Sequence, residues 1–143
     1  MEIRIMNMDD YKNVYTLWEK TPGMCMRNLD DSEDGISRFL KRNPDTNFVA
    51  VINNEIAGVI LCGHDGRRAS IYHAAVDSTF YGMGIGTRLV EAVCSALEKE
   101  GITKINILVL KDNLHGISFW KAQGFNDRND ILCFSKSLNL MND

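Results

Sequence analysis

The segment Tyr81-Gly82-Met83-Gly84-Ile85-Gly86 has a glycine at every second position and follows residues with strand character. A helix pattern begins just after it. The amides at the start of a helix point outward, and the helix dipole favours negative charge there. Glycine also lets the backbone come close to a phosphate group. The segment therefore predicts an anion-binding turn, although taken alone it is equally well explained as a tight turn that packs a helix on a sheet.

Two common nucleotide-binding motifs do not fit this turn. The dinucleotide motif GxGxxG requires a glycine at the position of Thr87, and the P-loop requires Gly-Lys followed by Ser or Thr, which the chain lacks. The preceding strands are joined by short links at Asn53-Asn54 and His64-Asp65-Gly66. Links this short force antiparallel pairing, which argues against a parallel dinucleotide-binding unit.

The periodicity of apolar residues predicts the elements around the turn. The predicted strands are 2–5, 48–52, 56–62, 70–77, 105–109 and 131–135. The predicted helices run from a cap at Asp9 or Asp10 to Thr21, from a cap at Asp31 or Ser32 to Asn43, from about Thr87 to Glu100, and from the Asn113 cap to Gly124. Because the strand after the third helix needs a crossover, it is expected to be parallel to the strand before it. The fold class is therefore α/β with a mixed sheet covered by helices.

The composition is that of an ordinary soluble protein. The chain has 143 residues, which predicts a single domain over residues 1–143. Its 16 basic and 19 acidic residues give a net charge of −3, which argues against a nucleic-acid partner. The four cysteines form no CxxC pair, and no His, Asp or Glu pair has ligand spacing, so no metal is expected. Without a signal-peptide pattern or an 18-residue apolar run, we expect a cytoplasmic protein with reduced thiols and no membrane contact.

A second pattern lies downstream, at Asn113-x-x-Gly116-x-x-Phe119-Trp120-x-x-x-Gly124-Phe125. Together with the glycine turn and the preceding Ala74-Ala75-Val76-Asp77, it resembles the GNAT family of N-acetyltransferases. In that family the turn reads Arg/Gln-x-x-Gly-x-Gly/Ala, and the later segment reads Asn-x-x-Ala-x-x-Leu/Phe-Tyr-x-x-x-Gly-Phe. The resemblance covers nearly the whole chain and is strongest to small bacterial acetyltransferases. It implies a mixed, mostly antiparallel sheet of about six to seven strands flanked by about four helices.

The resemblance also implies that acetyl-CoA is the co-substrate. Its pantetheine arm would lie along the strand at Ala74 to Val76, and its pyrophosphate would meet the amides of the glycine turn. The implied cofactor-binding residues are Ala75, Val76, Tyr81, Gly82, Met83, Gly84, Ile85, Gly86, Thr87, Asn113, Phe119 and Trp120. Three positions depart from the family pattern: Tyr81 replaces Arg or Gln, Gly116 replaces Ala, and Trp120 replaces Tyr.

The implied reaction moves an acetyl group to a primary amine of a small molecule or peptide, which must lose a proton. Side chains alternate along a strand, so Ser70, Tyr72 and Ala74 are expected on one face and Ile71, His73 and Ala75 on the other. By the resemblance, the first face looks toward the acceptor, which favours Tyr72. His73 is interpreted as a hydrogen-bonded core histidine, but a bulge would invert the alternation, so both residues remain candidates for the base. An amide near Val76 is the expected oxyanion donor.

The catalytic candidates are therefore Tyr72, His73 and Trp120. Because indole is a poor acid, our hypothesis is that Trp120 packs on the pantetheine arm while water supplies the proton for the thiolate. The loss of the usual tyrosine also supports an alternative function, an acetyl-CoA-binding module with little or no catalysis that acts as a sensor or partner subunit.

The first two helices and their loop are expected to wall the acceptor site, by the resemblance. The acidic stretch Asp30–Asp34 would either attract a cationic amine or serve as a solvated helix start. The apolar residues of this wall are Trp18, Met24, Cys25 and Met26. The sequence leaves the identity of the acceptor and the formation of a homodimer open.

Overall fold

The computed structural model describes all residues from 1 to 143. In chain order, the elements are β1 (Glu2–Ile5), α1 (Tyr11–Glu19), α2 (Glu33–Arg42), β2 (Phe48–Ile52), β3 (Glu55–His64), β4 (Ala69–Val76), α3 (Ile85–Lys99), β5 (Ile105–Ile107) and α4 (Leu114–Ala122). Short 3-10 turns lie at Met8–Asp10 and Ser78–Phe80. None of the helices combines the length and the apolarity needed to cross a membrane.

The five strands form one sheet in the order β1-β2-β3-β4-β5. The first three pairs are antiparallel, and β4 and β5 are parallel. The antiparallel part arises from short links: Asn53 and Asn54 have φ of 50° and 65°, the left-handed conformation that a two-residue hairpin turn requires. The α3 crossover makes the last pair parallel, as expected.

Apolar side chains on the two faces of the sheet build two cores. On one face, α3 packs Leu89, Val93 and Leu97 against Ile60 and Ile71. On the other face, α1 and α2 contribute Val14, Trp18 and Leu40 against Val59 and Leu61. The sheet is thus covered on both sides, and β4 lies between α3 on one face and α1 on the other.

The sequence prediction of six to seven strands is wrong, because the sheet has five. The predicted strand 131–135 is absent, and Ile131, Leu132 and Phe134 are 58%, 80% and 88% exposed. The strand predicted at 105–109 ends at Ile107. A three-residue edge strand offers few free backbone groups for a further strand to pair with. The prediction of four helices is confirmed.

Candidate functional site

The site begins where β4 and β5 separate. The two strands pair only from Ala69 to Ile71, opposite Ile105 to Ile107. Beyond Ile71, β4 continues for five residues with no strand on that side. The amide of Asp77 donates to the carbonyl of Ala57, toward β3. Because N–H directions alternate along a strand, the amides of Val76 and Ala74 point to the open side.

A cleft of about 290 Å³ lies along this open edge. We call it the narrow cleft. Its walls come from the end of β4, the start of α3, the α4 segment and the loop after α1. The lining residues that the sequence analysis singled out are Ala75, Val76, Tyr81, Gly86, Asn113, Phe119 and Trp120. The five others of that set belong to the adjoining turn and helix start without lining this cleft: Gly82, Met83, Gly84, Ile85 and Thr87.

The glycine turn forms the N-terminus of α3. Gly82 and Gly84 have φ of 84° and 76°, and a β-carbon on either would meet nothing within 4 Å. Gly84 is the N-cap of α3, and no side chain caps the helix. The amides of the first helical turn therefore have no side-chain partner and open to one side, as an anion site requires. Gly86 is tight for another reason: a β-carbon there would lie 2.9 Å from the Phe119 ring.

The α4 start explains one departure from the family pattern. The Asn113 side-chain oxygen accepts a hydrogen bond from the Gly116 amide at 3.0 Å, which caps α4. A β-carbon at Gly116 would lie 2.5 Å from the Asn113 side-chain nitrogen. Glycine at this position therefore leaves room for the cap in its present rotamer, with Asn113 also lining the narrow cleft.

Trp120 belongs to an aromatic stack behind the narrow cleft. It is 8% exposed, and its ring meets those of Phe119 and Phe125 edge-on at 4.9 and 5.1 Å between centroids. Edge-to-face contacts of this kind hold a ring in one orientation. Trp120 is therefore a fixed wall of the cleft. Tyr81 at the opposite end is 57% exposed and lies against His115.

The side-chain alternation predicted for β4 is wrong across a bulge. Leu61 pairs with His73 and the next residue, Cys62, pairs with Ile71, so Tyr72 is the extra residue on β4. Ile71 packs into the α3 core, whereas His73 lies against Trp18 of α1 with ring centroids 4.8 Å apart. Tyr72 contacts Phe39 of α2. The bulge therefore places Tyr72 and His73 together on the α1–α2 side.

His73 forms a buried pair with Asp31. The His73 Nε2 and Asp31 Oδ1 atoms are 2.7 Å apart, and the two residues are 9% and 5% exposed. Asp31 is itself fixed, since its other oxygen accepts the Arg27 amide at 2.7 Å and its carbonyl accepts the Tyr11 hydroxyl at 2.7 Å. The expected hydrogen-bonded histidine is thus present. Its Nδ1 has no hydrogen-bond partner, yet it is not among the fully buried unpaired atoms, so it keeps solvent access.

A second cleft, of about 760 Å³, lies beside Tyr72 and His73. We call it the wide cleft. Its walls are α2, the loop before α2, the end of β4 and residues 107–110. It shares five lining residues with the narrow cleft, and these mark where the two clefts join: Gly23, Met24, Ala74, Asn113 and Trp120. His73 lines the wide cleft and directly precedes Ala74, one of these junction residues, in β4.

The sequence analysis missed the partner of His73 and the charge of the wide cleft. Of the two caps predicted for α2, Ser32 is the cap, because its side chain accepts the Gly35 amide at 3.0 Å, whereas Asp31 binds His73. The wide cleft is lined by three arginines, Arg27, Arg38 and Arg42, that no motif identified. Only the helical spacing of Gly35, Arg38, Phe39 and Arg42, which places them on one face of α2, could have indicated it.

An ion pair ties the loop side of the site to β4. The Lys20 Nζ atom lies 2.6 Å from Asp77 Oδ2, and this hydrogen bond, helped by the Thr79 amide, lowers the pKa of Asp77 below its ordinary value. Lys20 follows α1, and the next four residues, 21–24, line the narrow cleft. No group of three or more His, Cys, Asp or Glu side chains could hold a metal ion.

Comparison with known proteins gives a consistent family. The Acetyltransferase (GNAT) family matches residues 11–125. An acetyltransferase of Pectobacterium atrosepticum is 40% identical over 113 residues, which are 79% of this chain and 79% of that protein.

Two solved structures share the fold at lower identity. Ard1 from Thermoplasma volcanium superposes with a TM-score of 0.78 at 24% identity, covering 87% of this chain and 82% of that one. The PaiA N-acetyltransferase of Thermoplasma acidophilum, solved in complex with coenzyme A, has a TM-score of 0.75 at 18% identity, covering 87% and 89%.

Proposed function

The chain belongs to the acetyltransferase (GNAT) family, and from that premise we propose that it moves the acetyl group of acetyl-CoA to a primary amine of a small molecule or peptide. One observation carries the proposal. The uncapped start of α3 and the unpaired edge of β4 border one continuous region along the narrow cleft. An anion-binding helix start next to a free strand edge suits a ligand with a pyrophosphate and an amide-containing arm.

The residues present fit acetyl-CoA. The amides from Gly82 to Thr87 would hold the pyrophosphate, with open space over Gly82 and Gly84 that no β-carbon occupies. The amide of Val76 on the free edge of β4 would bind the pantetheine arm as a neighbouring strand binds. Bound there, the co-substrate supplies an activated thioester. Phe119 and Trp120 would pack along the arm from the α4 side.

The reacting end would lie at the junction of the two clefts. Ala74 and Trp120 line both clefts there, so an amine in the wide cleft can approach from the side opposite to the cofactor turn. The Ala74 amide, which lies at this junction two residues from Val76, is our candidate to stabilise the oxyanion that forms when the amine attacks. Such a donor is preorganised because the rest of β4 is hydrogen-bonded to β3.

His73 is our preferred general base, with Tyr72 as the second candidate. If Asp31 accepts the proton on Nε2, the imidazole is held in the tautomer whose Nδ1 lone pair is free to accept a proton from the amine. Asp31 touches no reacting atom in this scheme, so it is a positioning residue. Tyr72 is 62% exposed and packs edge-on against Phe39, which suits contact with the acceptor.

Trp120 is proposed as a packing residue for the pantetheine arm. An indole N–H donates a hydrogen bond but is too weak an acid to protonate a thiolate. A thiol leaving group needs little help, since thiols titrate near pH 8.5. Water would therefore supply the proton that the family's tyrosine usually gives.

Thiol release from acetyl-CoA over a panel of amines tests the proposal. We expect turnover with at least one class of primary amine and none with the matched tertiary amines, which have no proton to lose. Calorimetry with CoA should be run on the same protein. Tight CoA binding with no turnover of any amine would contradict the proposal and favour the alternative, a binding module that serves as a sensor or partner subunit.

A further inference from the structure

We infer that the acceptor amine carries a carboxylate, and that Arg38 and Arg42 bind this carboxylate in the wide cleft. The inference rests on the proposed function, because it concerns the amine that occupies this cleft. It differs from one of the two interpretations of the acidic stretch in the sequence, that it attracts a cationic amine.

The charges that line the wide cleft are mostly positive. Its charged lining consists of the three arginines 27, 38 and 42 and the two aspartates Asp30 and Asp31, which gives 3 − 2 = +1. The whole chain has a net charge of −3. The cleft is therefore a positive site on a negative protein, which favours an anionic ligand.

The two aspartates of the cleft already have partners. Asp31 is bound to His73 and to the Arg27 amide. The Oδ2 atom of Asp30 accepts the Asn142 side-chain amide at 2.8 Å. Their capacity to bind an incoming ammonium group is thus reduced, and Asp31 is buried beneath His73. The acidic residues next to them, Glu33 and Asp34, lie in the first turn of α2 and do not line the cleft.

The arginines of the cleft, by contrast, have no partner for their side chains. Arg4 and Arg128 each bind an aspartate through two nitrogen atoms. No ion pair or side-chain hydrogen bond involves Arg27, Arg38 or Arg42, although Asp34 lies four residues before Arg38 on the same helix. These three guanidinium groups therefore line one cleft without an acidic partner.

The geometry of α2 places two of these groups side by side. Arg38 and Arg42 are four residues apart, so they project from the same face of the helix, as do Gly35 and Phe39 of the same lining. Gly35 cannot gain a side chain, because a β-carbon would lie 2.3 Å from the Leu29 carbonyl oxygen. The planar guanidinium group binds a carboxylate through two parallel hydrogen bonds. An amine that places a carboxylate on α2 would be oriented toward the junction.

Matched pairs of amines test the inference and separate two sources of the carboxylate. Alanine against alaninamide examines the carboxylate of a free amino acid. The amide of Ala-Glu against the amide of Ala-Gln examines an acidic peptide side chain. In at least one pair we expect the carboxylate to lower KM about 10-fold or more, as for a charge-assisted hydrogen bond. The N-acetylated forms of the same compounds provide a second readout, the thermal shift of the CoA-bound protein, which needs no turnover.

The Arg38→Ala/Arg42→Ala double variant should abolish the preference within the pair and leave CoA affinity unchanged. Arg67→Ala is the matched control, since Arg67 is an exposed arginine in the turn after β3, outside both clefts. It should behave as the wild type does. Loss of CoA affinity in the double variant, with acceptor preference retained, would assign the arginines to the cofactor and overturn the inference.

The remaining outcomes distinguish the inference from the proposed function. Acetylation of the uncharged member of both pairs as efficiently as the acid would overturn the inference and leave the acetyltransferase proposal standing. No turnover of any amine, together with arginine-dependent binding of the N-acetylated acids, would support the anion site and contradict the proposed reaction.

Discussion

The narrow and wide clefts meet at Ala74 and Trp120 but differ in the groups that they offer to a ligand. The narrow cleft offers a ligand main-chain groups, at the free edge of β4 and the uncapped start of α3, between apolar walls that include Phe119 and Trp120. The wide cleft is formed by side chains, among them the His73–Asp31 pair and the arginines of α2. A site made of main-chain groups restricts the backbone conformation of its own segment. A site made of side chains depends on which residues the fold brings together. The first cleft can therefore serve a constant ligand, and the second can vary with the acceptor.

The largest expected effect comes from the side-chain cleft. His73→Ala should lower kcat about 10²- to 10⁴-fold, the usual contribution of a general base. CoA affinity should stay unchanged, because His73 does not line the narrow cleft. Steady-state kinetics with the best amine and calorimetry with CoA measure the two quantities.

His73→Gln guards against a folding defect, since its amide can still donate to Asp31. It should be as slow as His73→Ala, because an amide cannot accept the proton of the amine. His64→Ala is the control, because His64 lies at the end of β3 and pairs with Glu100 away from both clefts. Activity near the wild-type level in both His73 variants would move the role of base to Tyr72 or to water.

This contrast explains which features could be predicted from the sequence. Gly82, Gly84 and the Asn113 cap occupy positions where backbone geometry restricts residue type, so the spacing of these residues predicted the turn and the start of α4. The antiparallel strands followed from apolar runs separated by turn residues. Each of these signals is local, and each is encoded within about ten residues.

The features that were not predicted depend on contacts between distant segments. The bulge at Tyr72 shifts the register between β3 and β4, and no residue type near it marks the shift. Asp31 and His73 are 42 residues apart in the chain. The segment 131–135 is an apolar run of strand length, but β5 ends too soon to offer it a partner. The local sequence pattern of a segment does not show whether another strand is available to pair with it.

In the main-chain cleft, we expect Gly86→Val to weaken CoA binding about 10- to 100-fold, since overpacking costs about 1–3 kcal/mol. A side chain at Gly86 would push against the Phe119 ring, which is 2.9 Å from the ideal β-carbon position. Calorimetry with CoA measures the loss. Gly101→Val is a control of similar type, since Gly101 has φ of 78° and lies after α3, outside both clefts. It should lose stability without losing CoA affinity at low temperature, and equal CoA losses in both variants would contradict a local effect.

A smaller effect is expected at the junction of the clefts. Trp120→Phe should raise KM for acetyl-CoA about 2- to 10-fold, because an aromatic contact is worth about 0.5–1.5 kcal/mol. The value of kcat should change little if water supplies the proton. Trp120→Tyr is the matched variant: it restores the hydroxyl of the family pattern and should not lower kcat. Unchanged kcat and KM in Trp120→Phe would mean that Trp120 packs in the core without a role in binding acetyl-CoA.

The smallest effect is expected for the ion pair between Lys20 and Asp77, which joins the loop after α1 to the end of β4. Lys20→Met should lower the free energy of unfolding by no more than about 1 kcal/mol, because Lys20 is more than half exposed and exposed pairs contribute little. Lys20 lowers the pKa of Asp77. A lowered carboxyl pKa gives stability that is present above the unfolded-state value of 3.8 and is lost as the pH falls through the folded-state value. The difference between wild type and variant should therefore be seen at neutral pH and vanish in acid.

Urea unfolding at neutral pH and at an acid pH below the lowered folded-state pKa of Asp77 measures this difference, with Lys12→Met as the control because Lys12 is an exposed lysine of α1 without an ion pair. A difference that persists in acid would mean that Lys20 stabilises through its methylene chain instead. If the pair does hold the loop of residues 21–24 to β4, the same variant should also raise KM for acetyl-CoA slightly, since that loop lines the narrow cleft and shares Gly23 and Met24 with the wide one. A raised KM for both substrates would show that the two clefts, although they offer different groups to a ligand, share one wall that can move.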